Sequence, residues 1–218
     1  METKRTAWKW VVLLFILFSV GCAGVPVRDA VKVDLSVPAG KIEGHQFTGV
    51  RFPFKVAAPP GWQVAMNYPK FMLDLGYEKE GLQESEVFIF NPATQSNLQI
   101  DFTPAGRYST FDQKTIEWLT TSATGGFQEE LQKDYGKNIQ VEISPTETYS
   151  LKGVPFAAKK FARYTLKEMK REQGWIYAFS EPYQIFILYM ILGQEEGDDR
   201  QGIQAILNSF EVIPKGSR

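Results

Sequence analysis

Residues 185 to 192 read IFILYMIL, apolar at every position from Ile185 to Leu192. A strand with one face in water alternates polar and apolar residues, whereas a strand covered on both faces reads as a continuous apolar run. The run is strand-length, so it predicts a central strand in a sheet with packing on both sides. Its neighbours have other periods. Leu98, Ile100 and Phe102 alternate with Gln99 and Asp101, which predicts a strand with one apolar and one polar face. Phe52 to Ala57, Trp62 to Met66 and Val87 to Phe90 read as further strands, the first two joined by the turn Pro59-Pro60-Gly61.

Downstream of these strands the period changes. Ile116, Leu119, Ala123, Phe127, Leu131 and Tyr135 recur every three or four residues, the mark of one helix face. Asp112 is placed to cap that helix, and Gly125-Gly126 kinks it or breaks it in two. Ile139, Val141 and Ile143 return to period two. Phe156 to Leu166 and Trp175 to Phe179 predict a hairpin about a charged tip, KEMKREQG, at 167–174. Ile203, Ile206, Leu207 and Phe210 mark a last helix after the acidic loop Glu195 to Asp199. Residues 67–85 carry no clear period and read as irregular. Trp62, Trp118 and Trp175 read as core. Strands joined by hairpin-length loops, with two helical segments among them, predict an α+β fold: an antiparallel β-sheet with helices packed on it.

The chain of 218 residues is 44% hydrophobic and 22% charged, enough for one domain with a sizeable core. Its net charge of −1, from 24 basic and 25 acidic residues, supplies no field to attract nucleic acid. The 14% aromatic content reads as core filling in a β-rich fold.

The N-terminus carries a different signal. Lys4, Arg5 and Lys9 precede an uncharged apolar run, Trp10 to Val20, and then Gly21 and Cys22. A membrane-spanning helix needs about 20 apolar residues; this run is too short to span and suits the core of a signal peptide. Small residue then cysteine directly after such a run resembles the lipobox of bacterial lipoproteins, although Ser19 stands where that family prefers leucine. The resemblance implies cleavage before Cys22, a diacylglycerol on its thiol and a fatty acyl group, commonly palmitate, on its new amine. The other readings are an ordinary cleaved leader or an uncleaved short anchor. Cys22 is the only cysteine, so no internal disulfide exists for it to join. The expected organisation is a signal peptide at 1–21, an acylated cysteine and tether at 22–45, and one domain at 46–214. In the tether, Val31, Val33 and Leu35 alternate as a short edge strand would. Ala23 after the cysteine leans toward the outer membrane.

Phe54-Lys55-Val56 with Pro59-Pro60-Gly61-Trp62, Gly153-Val154-Pro155, and the closing Ile206-Leu207-Asn208-Ser209-Phe210 resemble the PsbP-like family, which includes DcrB-type bacterial lipoproteins and a yeast Ran-binding protein. The likeness would cover 46–214. It implies an α-β-α sandwich on an antiparallel sheet, and members that act mostly as binding or assembly factors.

Catalytic and metal motifs are sparse. The single histidine, His45, lies in a Gly-flanked stretch and reads as exposed. A hydrolase elbow, a phosphate loop and a zinc ligand set are all missing from the sequence. Glu195, Glu196, Asp198 and Asp199 could hold a hard cation or supply Asp198 or Asp199 as a helix cap. Lys159, Lys160, Arg163, Lys167, Lys170 and Arg171 could meet anionic headgroups or form a plain solvated hairpin. Tyr68, Phe71, Met72 and Tyr77 form either a binding lip or loop residues folded onto the sheet edge. The sequence therefore predicts a lipid-anchored envelope protein, non-enzymatic and without a cofactor. It would touch the membrane through Cys22, take an envelope protein as partner and bind no nucleic acid. The alternative is a carrier of a small apolar ligand held between sheet and helix. An enzyme working with Asp, Glu and Tyr alone would need two carboxylates in one dry cleft.

Overall fold

The computed structural model describes residues 29, 31–107, 109–193 and 196–213. The leader, Cys22 and Glu195 lie outside these. In chain order, β1 (Gly40–Glu43), β2 (Gln46–Gly49), β3 (Phe54–Ala57) and β4 (Gln63–Ala65) lead to α1 (Phe71–Asp74) and α2 (Lys79–Glu84). Then come β5 (Val87–Phe90), β6 (Asn97–Pro104), α3 (Gln113–Ala123), α4 (Phe127–Tyr135), β7 (Val141–Ile143) and β8 (Glu147–Thr148). β9 (Phe156–Leu166), β10 (Met169–Ser180), β11 (Tyr183–Leu192), α5 (Glu196–Ser209) and β12 (Glu211–Val212) complete the chain. One body comprises Val31–Ala105 with Phe111 onward; Gly106–Thr110 groups apart, and within it the Ser109 amide donates to the Gly106 carbonyl at 3.0 Å.

The apolar run sits where its composition predicts. β11 is flanked by β6 and β10 in an eight-stranded sheet of order β4-β5-β6-β11-β10-β9-β7, with β8 also on β9. A second sheet, β1-β2-β3-β12, has four strands. Every ladder is antiparallel, as short loops require. The fold class is the expected one, with two sheets in place of one.

One face of the large sheet packs on the small sheet and α5. Ile100 and Phe102 of β6, Ile185, Ile187 and Tyr189 of β11, Phe47 and Phe54 of the small sheet, and Ile206 and Phe210 form one buried cluster there. Phe102 is its hub: its ring stacks on Phe54 at 4.6 Å and on Phe52 at 5.1 Å. Gly174 lacks a side chain because the Tyr189 ring occupies the place of its Cβ. Gly202 lets α5 lie against the Trp62 indole, 2.6 Å from where a Cβ would stand.

The opposite face carries the shorter helices. Asp112 caps α3 as expected, its Oδ1 accepting from the Thr115 amide at 2.7 Å. The helix does break before Phe127, and the break shifts the inward face. Ile116 and Leu131 are buried, but Ala123 and Tyr135 are exposed, and Thr120 and Thr124 turn inward instead. Their hydroxyls donate to the carbonyls of Ile116 and Thr120 at 2.8 Å each, which lets a threonine stand on a dry face. Trp118 is not core: it is 65% exposed. At about 100° per residue it lies about 200° around the helix from Ile116.

Four other expectations give way. Residues 67–85 hold α1 and α2, each too short for a period to be legible. Gln99 is not on a solvent face but 4% exposed, because helices cover that side. The hairpin tip is only Lys167-Glu168, both at positive φ, and the rest of KEMKREQG is β10. In the stretch read as tether, Val31 and Val33 pack on the core without forming a strand, and β1 pairs with β2 from Gly40. His45, at the β1–β2 turn, is exposed as expected. Among the described residues no helix is long and apolar enough to cross a membrane.

Candidate functional site

The helix-covered face is not sealed. Its apolar residues fall into three small clusters under α1 and α2, under α3 and under α4, and two clefts open beside them.

The first cleft, about 310 Å³, lies between α4 and the sheet. Period two along β10 sets Arg171 and Gln173 on this face together with Trp175 and Tyr177. Arg171 is on the floor, with Nη1 donating to the Leu75 carbonyl at 3.4 Å and Nε buried without a partner. The Tyr164 hydroxyl donates to Gln173 Oε1 at 3.2 Å. Phe127 and Leu131 of α4 face Leu188 and Met190 of β11 across the opening. Burial pushes the Tyr77 hydroxyl well above the ordinary phenol range and raises that of Tyr164, so both stay neutral donors.

The second cleft, about 520 Å³, gathers Arg51, Glu86, Asp101, Tyr177 and Phe186. Val87 pairs with Ile100. Glu86 stands one residue before that pair and Asp101 one after, so two carboxylates come side by side at the ladder's end. Arg51 Nη1 meets Glu86 Oε1 at 2.9 Å, while Glu86 Oε2 and Asp101 Oδ1 have no hydrogen-bond partner. Burial raises Glu86, and Arg51 offsets part of that rise. Burial pushes Asp101 up to about 7, eased by the nearby Ser85 hydroxyl and reinforced by the charges of Glu84 and Glu86. Asp101 is thus a group able to exchange a proton near neutral pH, and the paired carboxylates that acid–base chemistry would need do share one cleft.

The residues singled out in the sequence are distributed as follows. Met72 is fully buried against Leu82 and Phe88; Tyr68 and Phe71 lie on Phe88 and Phe90, ring centroids 6.3 and 5.6 Å apart. Tyr77 donates to Asn97 Oδ1 at 2.8 Å and alone of the four lines the first cleft. The basic concentration is divided between faces. Arg163 pairs with Glu172 at 2.9 Å, and Lys159 Nζ sits over the Tyr149 and Tyr189 rings at 5.3 and 5.2 Å. Asp199 is buried inside the first turn of α5 and accepts from Ser96 Oγ at 2.6 Å and Asn91 Nδ2 at 2.9 Å, tying the helix to the β5–β6 turn. Among the described residues no group of three His, Cys, Asp or Glu side chains could hold a metal ion. Cys22 falls outside the described residues. Sequence reading missed Arg51, Glu86 and Asp101, and it placed Arg171 in the basic concentration and not in a cleft. For Arg171 a signal existed: carrying the alternation of Trp175, Tyr177 and Phe179 back two steps reaches it.

No protein-family model and no curated protein matches the chain. Among solved structures it is similar to the cyanobacterial PsbP protein CyanoP of Synechocystis sp. PCC 6803, at 13% identity and a TM-score of 0.53, covering 81% of this chain and 100% of that one. It is similar at lower scores to LpqN of Mycobacterium tuberculosis, described as involved in cell envelope biogenesis (11% identity, TM-score 0.45, 74% and 83% covered). A point mutant of the protein Mog1 scores lower again (13% identity, TM-score 0.42, 75% and 92% covered). The first likeness establishes the PsbP-like fold and nothing finer; the other two add no argument.

Proposed function

We propose that this chain is a binding or assembly module of the cell envelope, held at a membrane by lipid on Cys22 and performing no catalysis. The observation that carries this reading is in the sequence: the uncharged run Trp10 to Val20 hands over to Gly21 and a lone Cys22. One acyl chain binds a membrane only marginally, whereas two or three anchor it stably. The domain would then meet an envelope protein beside the membrane, on the periplasmic side or the cell exterior. Nucleic acid has no place in this reading. Intact-mass measurement of the native protein tests it. The expected product begins at Cys22 and carries the mass of a diacylglycerol and an acyl group. An uncleaved leader, or a free Cys22 thiol, overturns it.

A second reading has its own support. The first cleft lies between a helix and the sheet and is lined by apolar and polar side chains together, the setting of small-molecule sites, and suits a carrier of a small ligand. Native mass spectrometry after mild extraction should detect a bound small molecule, and a clean mass for the unliganded chain counts against it.

A further inference from the structure

The orphan guanidinium in the first cleft narrows what would bind there, an inference that rests on the second reading above. Three other arginines have carboxylate partners: Arg51 meets Glu86, and Arg163 and Arg200 both meet Glu172. Arg171 makes no ion pair among the described residues; it donates one long bond to the Leu75 carbonyl and otherwise meets only the neutral Tyr164 hydroxyl. A half-buried guanidinium with a buried, unused N–H is costly to keep and gains most from a carboxylate, whose two oxygens match its fork. The rim has the opposite sign. Glu130 and Asp134 of α4 line the same cleft and are exposed. A simple anion would cross that rim at a cost, and a simple cation would meet Arg171 inside. Between floor and rim the walls are Phe127, Leu188 and Met190. A volume of about 310 Å³ admits a molecule of amino-acid size and not a diacyl lipid.

The geometry points to a site for a small zwitterion with an apolar body, its carboxylate on Arg171, its body between Phe127 and Leu188, and its ammonium toward Glu130 and Asp134.

The test uses the full chain in mild detergent and three aromatic probes of similar size: L-phenylalanine, which has both charges, phenylacetate, which has only the carboxylate and is one methylene shorter, and phenethylamine, which has only the ammonium. Calorimetry gives affinity, and the Arg171 Nε–H resonance reports contact at the floor. L-Phenylalanine should bind in the millimolar range or better and shift that resonance. Each single-charge probe should bind at least tenfold more weakly. Arg171→Gln should lose at least tenfold for L-phenylalanine. A Glu130→Gln/Asp134→Asn double variant, at exposed positions that leave the fold intact, should lose severalfold for L-phenylalanine and nothing for phenylacetate. Failure of L-phenylalanine to bind, equal binding by phenylacetate, or an unaffected double variant overturns the proposal. A co-purified neutral lipid in this cleft would overturn the zwitterion while leaving the carrier reading standing, and a bare Cys22 would remove the membrane tether while leaving the site.

Discussion

The two faces of the eight-stranded sheet are built differently. The face toward the small sheet and α5 is one continuous aromatic and aliphatic cluster, and its buried charge is well matched. Glu172 accepts from Arg200 at 2.7 Å, Arg163 at 2.9 Å and the Tyr189 hydroxyl at 3.2 Å. The face toward α1–α4 is covered in three separate pieces. Glu86, Gln99, Asp101 and Arg171, each with a buried polar atom lacking a partner, lie on this side. Buried polar groups are nearly always satisfied in scaffolding regions, so orphans gathered on one side mark where the molecule gives up stability for something else. One face stores the fold's stability, and the other is held open.

The largest effect should come from emptying the sealed face. Phe54→Ala removes a fully buried ring that packs on Phe47, Phe102 and Phe210. It should cost about 3–5 kcal/mol in urea unfolding. A loss below about 1 kcal/mol would break the division of labour.

Charge on the two faces should respond to pH with opposite signs. Asp101 has a folded pKa above its unfolded one. Between about pH 4 and 7 the native state therefore holds a proton that the unfolded chain does not, and stability falls as pH rises. Asp101→Asn should stabilise by about 2 kcal/mol at pH 8 and by almost nothing at pH 4. On the sealed face, burial pushes Glu172 up, but Arg200 and Arg163 more than offset it and hold the carboxyl below its ordinary range. Its contribution is present above the unfolded carboxylate range and is lost as pH falls through the folded value. Glu172→Gln should cost about 1–2 kcal/mol at pH 7, limited because both arginines are more than a third exposed, with the deficit shrinking as pH falls below the ordinary carboxylate range. Thermal unfolding of both variants from acid to alkaline pH checks the pair, and slopes of the same sign would erase the contrast.

The smaller effects belong to the helix layer. Asp112→Ala loses the cap of α3 and should cost about 1 kcal/mol by urea titration. Trp118→Ser, on the outer side of that helix, should change stability by less than about 0.5 kcal/mol despite the size of the side chain.

What the sequence made legible follows the same division. Long elements with a clean period were readable: the apolar β11, the alternation along β6, the helix broken at Gly125-Gly126, and the Asp112 cap. Short or polar elements were not. α1 and α2 have too few residues to repeat a pattern, and β1 pairs through Gly40, whose missing side chain makes room for the Phe47 ring. Thr120 and Thr124 disguised the inner face of α3, because a hydroxyl bonded to its own helix can pass for apolar. The cleft residues were hidden for a related reason. Glu86, Asp101 and Arg171 look like solvated surface in sequence, and only the tertiary fold draws them partly or wholly out of water. Of Tyr68, Phe71, Met72 and Tyr77, the fold lays three on β5 and sends Tyr77 to the cleft.

The claim that the open face does the binding can be tested where the protein works. A photo-crosslinking p-benzoylphenylalanine placed at Leu73 or Tyr135, exposed on the helix-covered side, is compared in intact envelopes with one at Gln204, exposed on the outer side of α5. Specific products from Leu73 or Tyr135 with none from Gln204 are the expected result. Products from Gln204 alone, or equal products from all three, would contradict it.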